Sequence, residues 1–169
     1  MNLLANPSDL PSSLNVSTAD ALRMLEIVSG GIRETCGWNI TQETVVDAVF
    51  DGNRRRSIWL PTLLLTDVAS VAEGVVTLVY DRDFTWTSDG RLIRNGRWQS
   101  AARSVTVTYT HGYAETPNLI KQVVIETVIG KLHNPFHLRS ETRGPFSWTS
   151  QDTAAVEPIV IPYKLIPPP

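Results

Sequence analysis

Cysteine is nearly absent from this sequence, charge is scarce, and no apolar run is long; each shortage closes off a class of protein. Cys36 is the only cysteine in 169 residues, which excludes an intrachain disulfide and a Cys-rich zinc site. It falls within an apolar helical pattern and reads as a small buried hydrophobe rather than a reactive thiol. Charged residues make up 19% of the chain, below the roughly 25% of an average soluble protein. A chain that buries much of itself against partners shows such a figure, and so does one with a large core. The net charge of -2 and a pI of about 5.9 leave no global basic field to attract a nucleic-acid backbone. No stretch approaches the ~20 apolar residues of a membrane span. The opening MNLLANPSDLPSSL has no basic n-region and no long apolar run, so no secretory signal is expected and synthesis in a cytoplasm is. GxSxG, Walker A, GxGxxG and HExxH patterns are all missing. No enzyme and no cofactor are therefore expected.

What is present suffices for a folded domain. The hydrophobic share is 42% and the mean hydropathy -0.07, and the length fits one domain plus some non-globular chain. Residues 1–16 read as an irregular lead, with Pro7 and Pro11 blocking a helix and Leu3, Leu4, Leu10 and Leu14 offering loose apolar contacts. A helix over 17–37 follows: Ser17 or Thr18 can cap it, and Ser17 with Asp20 resembles a capping box. Leu22, Leu25, Val28, Ile32 and Cys36 recur at spacings of three and four as one buried stripe. Gly30–Gly31 weakens the middle of the helix and predicts close packing of another backbone or a kink, while Gly37 is placed to end it.

Residues 43–113 read as an antiparallel meander of five or six short strands. ETVVDAVF and RSIWLP flank a turn at Asp51–Gly52 and predict a β-hairpin. Ser88-Asp89-Gly90 and Asn95–Gly96 mark two further turns, and Val105, Val107 and Tyr109 alternate on one face. A second helix spans 116–134, with Thr116 at its cap and Pro117 at its first position. Leu119, Ile120, Val123, Val124, Thr127, Val128 and Leu132 form its buried face, and Pro135 stops it. From 136 to 169 the prolines allow neither helix nor central strand, yet VEPIVIPYKLIPPP is too apolar for a solvated tail. An extended arm docked on a partner accounts for both properties. The fold class is α+β: two main helices, an antiparallel β-rich region between them, and an extended C-terminal arm.

Candidate chemistry is thin. His133 and His137 share helical metal-ligand spacing, but Pro135 breaks the helix between them, so no metal site is expected. His111, at a strand end, reads as a histidine satisfied by backbone hydrogen bonds. Asp81 and Asp83 read as a solvated turn rather than an acid–base pair. Arg54, Arg55 and Arg56 form the one run of like charge, which suits a solvated tip, an intersubunit salt bridge or a weak, salt-sensitive phosphate contact. The five tryptophans suit a sheet core and subunit interfaces, or alternatively a stacking surface for sugar or single-stranded bases.

The order of several signals resembles the head-to-tail adaptor (connector) proteins of long-tailed siphophages, especially those of actinobacterial hosts. The matching residues are Cys36-Gly37-Trp38, Leu60-Pro61-Thr62, Trp86, Asp89-Gly90, Trp98, Thr108 through Tyr113, Pro117 and Tyr163-Lys164-Leu165. The likeness covers roughly residues 17 to 166; Gly30–Gly31 and the N-terminal lead depart from it. It implies a small helical core with a β-rich insertion (core 17–135, arm 136–169). It further implies a dodecameric ring of this chain that docks beneath the portal protein and extends the DNA channel. The next neck protein, a stopper or tail component, would bind the ring, and double-stranded DNA would pass without sequence-specific contact. A net charge near zero suits such a conduit. Assembly would take place in the host bacterial cytoplasm and residence in the virion, with no membrane involved. By position, Trp148, Ile159, Val160, Ile161, Tyr163, Lys164 and Leu165 would form the portal-reaching segment, and Arg54, Arg55 and Arg56 an intersubunit or DNA-facing one. The rival readings are a carbohydrate-binding module using Trp86 and Trp98, and another neck component, a stopper or tail terminator.

Overall fold

The computed structural model describes residues 3–14, 16–133, 140–143, 146–149 and 160–165. Two helices and two small antiparallel sheets make an α+β fold, with one further two-stranded pair. The chain divides into two compact units, Met1–Cys36 with Thr116–Lys164, and Gly37–Glu115 with Leu165–Pro169.

The first unit is helical. Its α1 runs from Thr18 to Cys36. Ser17 caps it: the Asp20 N–H donates to Ser17 Oγ at 3.1 Å, and the Ser17 hydroxyl donates back to the Asp20 carboxylate at 2.6 Å. The buried stripe is Ala21, Leu25, Val28, Ile32 and Cys36. Leu22, expected inside, is 39% exposed. The stripe starts one residue earlier because Ala21, not Leu22, stands a full i, i+4 step before Leu25. The Gly30–Gly31 expectation is also corrected. One continuous helix runs through the pair, and among the described residues a Cβ on either would meet nothing within 4 Å. Gly37, at φ +77°, closes the helix in the left-handed conformation that favours glycine.

Helix α2 spans Asn118–His133. The Lys121 N–H donates to the Pro117 carbonyl at 3.0 Å, so Pro117 occupies the cap, one residue outside its expected position. Ile120, Val123, Val124 and Val128 are buried, whereas Leu119 is exposed. The lead is tied down rather than loose. Leu4 and Ala5 are buried, the Leu4 N–H donates to Ser29 Oγ at 3.2 Å, and Asp9 pairs with Lys121 at 3.7 Å. Two short 3-10 turns, Pro7–Asp9 and Ser12–Leu14, complete it. The segment read as an extended arm contains a local hairpin, in which Ser140–Arg143 pairs with Phe146–Thr149. A hairpin needs no partner sheet, so prolines elsewhere in the segment do not prevent it.

The second unit holds seven strands: β1 Glu43–Phe50, β2 Ser57–Trp59, β3 Leu65–Glu73, β4 Val76–Leu78, β5 Phe84–Trp86, β6 Arg91–Arg94 and β7 Val105–His111. They form a four-stranded sheet ordered β1-β7-β3-β4 and a three-stranded sheet ordered β2-β6-β5. Both sheets send side chains into one core, with Ile58, Phe84 and Leu92 from the smaller meeting Val71, Leu78, Val105 and Val107 from the larger. The arrangement is not a meander, because β7 returns to lie between β1 and β3. The hairpin expected at Asp51–Gly52 does not form; β1 pairs with β7 and β2 with β6. Asp51 and Gly52 are instead fastened to the 99–104 loop, and the chain bends at 54–56. The Gly52 N–H donates to the Ala101 carbonyl at 2.9 Å, and the Arg103 N–H donates to Asp51 Oδ1 at 2.6 Å. A Cβ on Gly52 would collide with the Gln99 carbonyl, so glycine is required there by space. The other turn signals hold: the Gly90 N–H, at φ +86°, closes on the Thr87 carbonyl at 3.0 Å between β5 and β6.

Candidate functional site

In the C-terminal segment, Ile161–Tyr163 forms a single 3-10 turn in which the Lys164 N–H donates to the Ile161 carbonyl at 3.1 Å. Val160 is 3% exposed and Ile161 60% exposed. Lys164 is exposed, while Tyr163 and Leu165 are half-buried. The Leu165 Cβ stands 3.7 Å from where a Cβ on Gly37 would be. Ile159 lies outside the described residues. Trp148 sits on a described strand, Phe146–Thr149, but its side chain is outside them. His137 is outside them too, and among the described residues no group of three His, Cys, Asp or Glu could hold a metal ion.

Arg54, Arg55 and Arg56 are all exposed. Their main chain is fastened to the smaller sheet: Trp98 N–H donates to the Arg55 carbonyl at 3.0 Å and Arg94 N–H to the Arg56 carbonyl at 2.7 Å. The three guanidinium groups thus project from a fixed loop beside β2 rather than from a hairpin tip. Asp83 accepts from the Arg82 guanidinium and from the Val79 N–H, both at 2.9 Å, which holds its carboxyl down at about 2. It fastens the turn between β4 and β5.

His111 extends the inward face of β7 and is 3% exposed. Its ring centroid lies 5.3 Å from Tyr109 and 6.2 Å from Trp38, and its Nε2 is 3.9 Å from Glu43 Oε1. Nδ1 has no hydrogen-bond partner among the described residues, contrary to the expectation of a satisfied histidine. Burial pushes its pKa below the ordinary 6.5, with the Glu43 carboxylate opposing. The unfolded chain therefore takes up this proton first as pH drops below 6.5. Stability contributed by neutral His111 is present above that pH and is lost as pH falls through the lower folded value. Urea unfolding of the wild type should show this loss between neutral and mildly acid pH, and His111→Gln should flatten it.

Buried Glu73 was not legible as a site. Its carboxylate accepts the Gln99 backbone N–H at 2.7 Å and pairs with Arg94 at 3.4 Å, and the Arg94 guanidinium lies 5.8 Å from the Trp98 ring centroid. The two-residue spacing from Val71 put Glu73 on the inward face, a signal that its charge and the following glycine concealed. Of the tryptophans, Trp38 and Trp98 are buried and Trp86 packs against the core, while Trp59 is exposed under Arg91 at 5.0 Å. Exposed apolar side chains gather instead on the outer strands of the larger sheet, at Val46 and Val49 on β1 and at Val75, Val76, Val79 and Tyr80 around β4.

No protein-family model and no curated protein matches the sequence. Solved structures do. A chain from the neck of native GTA particle, computed with C12 symmetry, aligns over 95% of this chain and 86% of its own with a TM-score of 0.63 at 13% identity. One from the neck of empty GTA particle, computed with C6 symmetry, covers 90% and 81% at 0.55 and 12%. One from the virion of native gene transfer agent (GTA) particle covers 90% and 80% at 0.56 and 13%. At these identities the likeness is one of fold: the chain shares the architecture of proteins built into that particle.

Proposed function

We propose that this chain is a structural subunit of a phage-like neck, an adaptor whose ring docks under the portal, extends the DNA channel and links capsid to tail. The observation that carries the proposal is the fold shared over nearly the whole chain with a protein of the GTA particle neck. The C12 symmetry of that neck supports a twelve-membered ring here. In such a ring each subunit offers two different faces to its neighbours, a contact that closes by rotation. The role involves no chemistry. Three exposed arginines at 54–56 would touch few phosphates, giving passing DNA only a weak, salt-sensitive grip. The sugar-binding alternative loses support, because Trp98 is buried.

The C-terminal segment would grip the portal at many equivalent sites, so modest single contacts add through multivalency. Val160 fastens the segment to its own chain, while Ile161, Tyr163, Lys164 and Leu165, with Ile159 and Trp148, contribute to the grip. Deleting the whole segment would remove buried Val160 along with the partner surface, so Ile161→Asp is the cleaner variant. Cryo-EM of the chain mixed with its portal should give a twelve-fold ring on the portal. The Ile161→Asp protein should lose portal attachment at least tenfold while keeping its melting temperature. A wild-type chain that neither forms rings nor binds the portal sinks the reading, and one that rings at the far end of the neck makes it a stopper or terminator.

A further inference from the structure

The two outer strands of the larger sheet stand at the same level. Along one cross-strand row Phe50 faces Val105, Val105 faces Glu73 and Glu73 faces Val76; along another Ala48, Val107, Val71 and Leu78 follow in turn. All of β4 therefore lies in the same rows as Ala48–Phe50, the regular part of β1 beyond its bulge between Val45 and Ala48. The sheet has four strands and every neighbouring pair is antiparallel. A second copy set beside the first in the same orientation would thus meet β4 with its own β1 antiparallel, leaving the alternation unbroken.

Among the described residues no further strand pairs with the free side of either outer strand. Folded proteins usually guard such an edge with charges, prolines or a covering segment. The stretch Gly74 to Tyr80 contains no charged residue and no proline, and Val76 on β4 is 57% exposed.

We propose that β4 of one copy pairs with Ala48–Phe50 of the next, continuing the antiparallel sheet from subunit to subunit. The partner is a second copy because matching length, level and strand direction all come from this chain's own opposite edge. Val76 lies on the core-facing side of its row with Phe50, so the contact sets Val76 of one copy against Phe50 of the next. Val49 and Thr77 meet on the outer side. The contact is heterologous, the kind that closes by rotation, and the inference rests on the ring proposed above.

The test is a disulfide between Val49→Cys and Thr77→Cys. Within one chain these positions are three strand spacings apart, about 14 Å, beyond the roughly 7 Å reach of a disulfide between Cα atoms. A 49–77 disulfide can therefore form only between copies, and buried Cys36 does not compete. The full-length double variant, mildly oxidised, should give a ladder of covalent oligomers, with the 49–77 disulfide identified by peptide mapping. Val76→Lys, which adds no second carboxylate opposite Glu73, should weaken self-association at least tenfold and leave the melting temperature unchanged. Rings that assemble without that disulfide, and survive Val76→Lys, overturn this interface while leaving the ring intact. Covalent dimers of the Thr77→Cys single variant would also overturn it, since they mean β4 against β4 about a two-fold axis. A chain that forms no ring even on the portal overturns the interface and the ring together.

Discussion

Replacing Trp98 with alanine is expected to lower the unfolding free energy by about 3–5 kcal/mol, the usual cost of emptying a large aromatic site. Trp98 is 1% exposed and belongs to the core shared by both sheets. Its ring also carries the Arg94 guanidinium, 5.8 Å from its centroid, so truncation leaves that cation without its aromatic floor. The loss is a large part of the 5–15 kcal/mol that holds a typical domain together. Trp98→Phe should behave very differently. The indole Nε1 has no hydrogen-bond partner among the described residues, so phenylalanine removes an unsatisfied donor while keeping most of the packing. Guanidinium unfolding followed by far-UV circular dichroism would rank the three proteins; equal losses for Ala and Phe would refute the packing account.

Glu73→Ala should cost about 3 kcal/mol, the lower end for removing one partner of a buried ion pair. The substitution strips the acceptor from the Gln99 N–H and the counter-charge from Arg94. The value sits at the low end because Arg94 still donates to the Asp83 carbonyl at 2.9 Å. Glu73→Gln retains an acceptor for Gln99 and should lose less. Since Arg94 touches both Glu73 and Trp98, the two alanine substitutions together should cost less than their sum. A fully additive double variant would show that Arg94 does not couple them.

These sites mark the boundary between what was legible in the sequence and what was not. The start of α1 could be read because the Ser17–Asp20 exchange involves residues three apart. The phase of its buried stripe could not, because Leu22 is as apolar as Leu25 and only tertiary packing chooses Ala21. Asp51–Gly52 resembles a hairpin tip, yet the chain bends at 54–56 and the flanking strands pair elsewhere, as Phe50 faces Val105 and Ile58 faces Leu92. A turn signal is local, whereas pairing across such separations depends on the closing of long loops. The inward face of β7 was visible in its alternation, whereas two register shifts break the pattern of β3 and its inward-facing Glu73 carries a charge. In the C-terminal segment the apolar, proline-broken composition was plain. Which residue turns inward was not, and Val160 and Ile161, adjacent and equally apolar, take opposite sides.

Cys36, the single thiol, is fully enclosed at the end of α1, and burial raises its pKa while the Lys164 ammonium opposes. Four of the five tryptophans, by contrast, fall within residues 37–115. The molecule therefore carries two separate clocks. A thiol reagent can reach Cys36 only when the structure around the end of α1 opens, so its labelling rate times that event. Indole emission is dominated by the β-rich unit. Whether the two units breathe together or independently can be timed in the unaltered protein, without any probe being introduced.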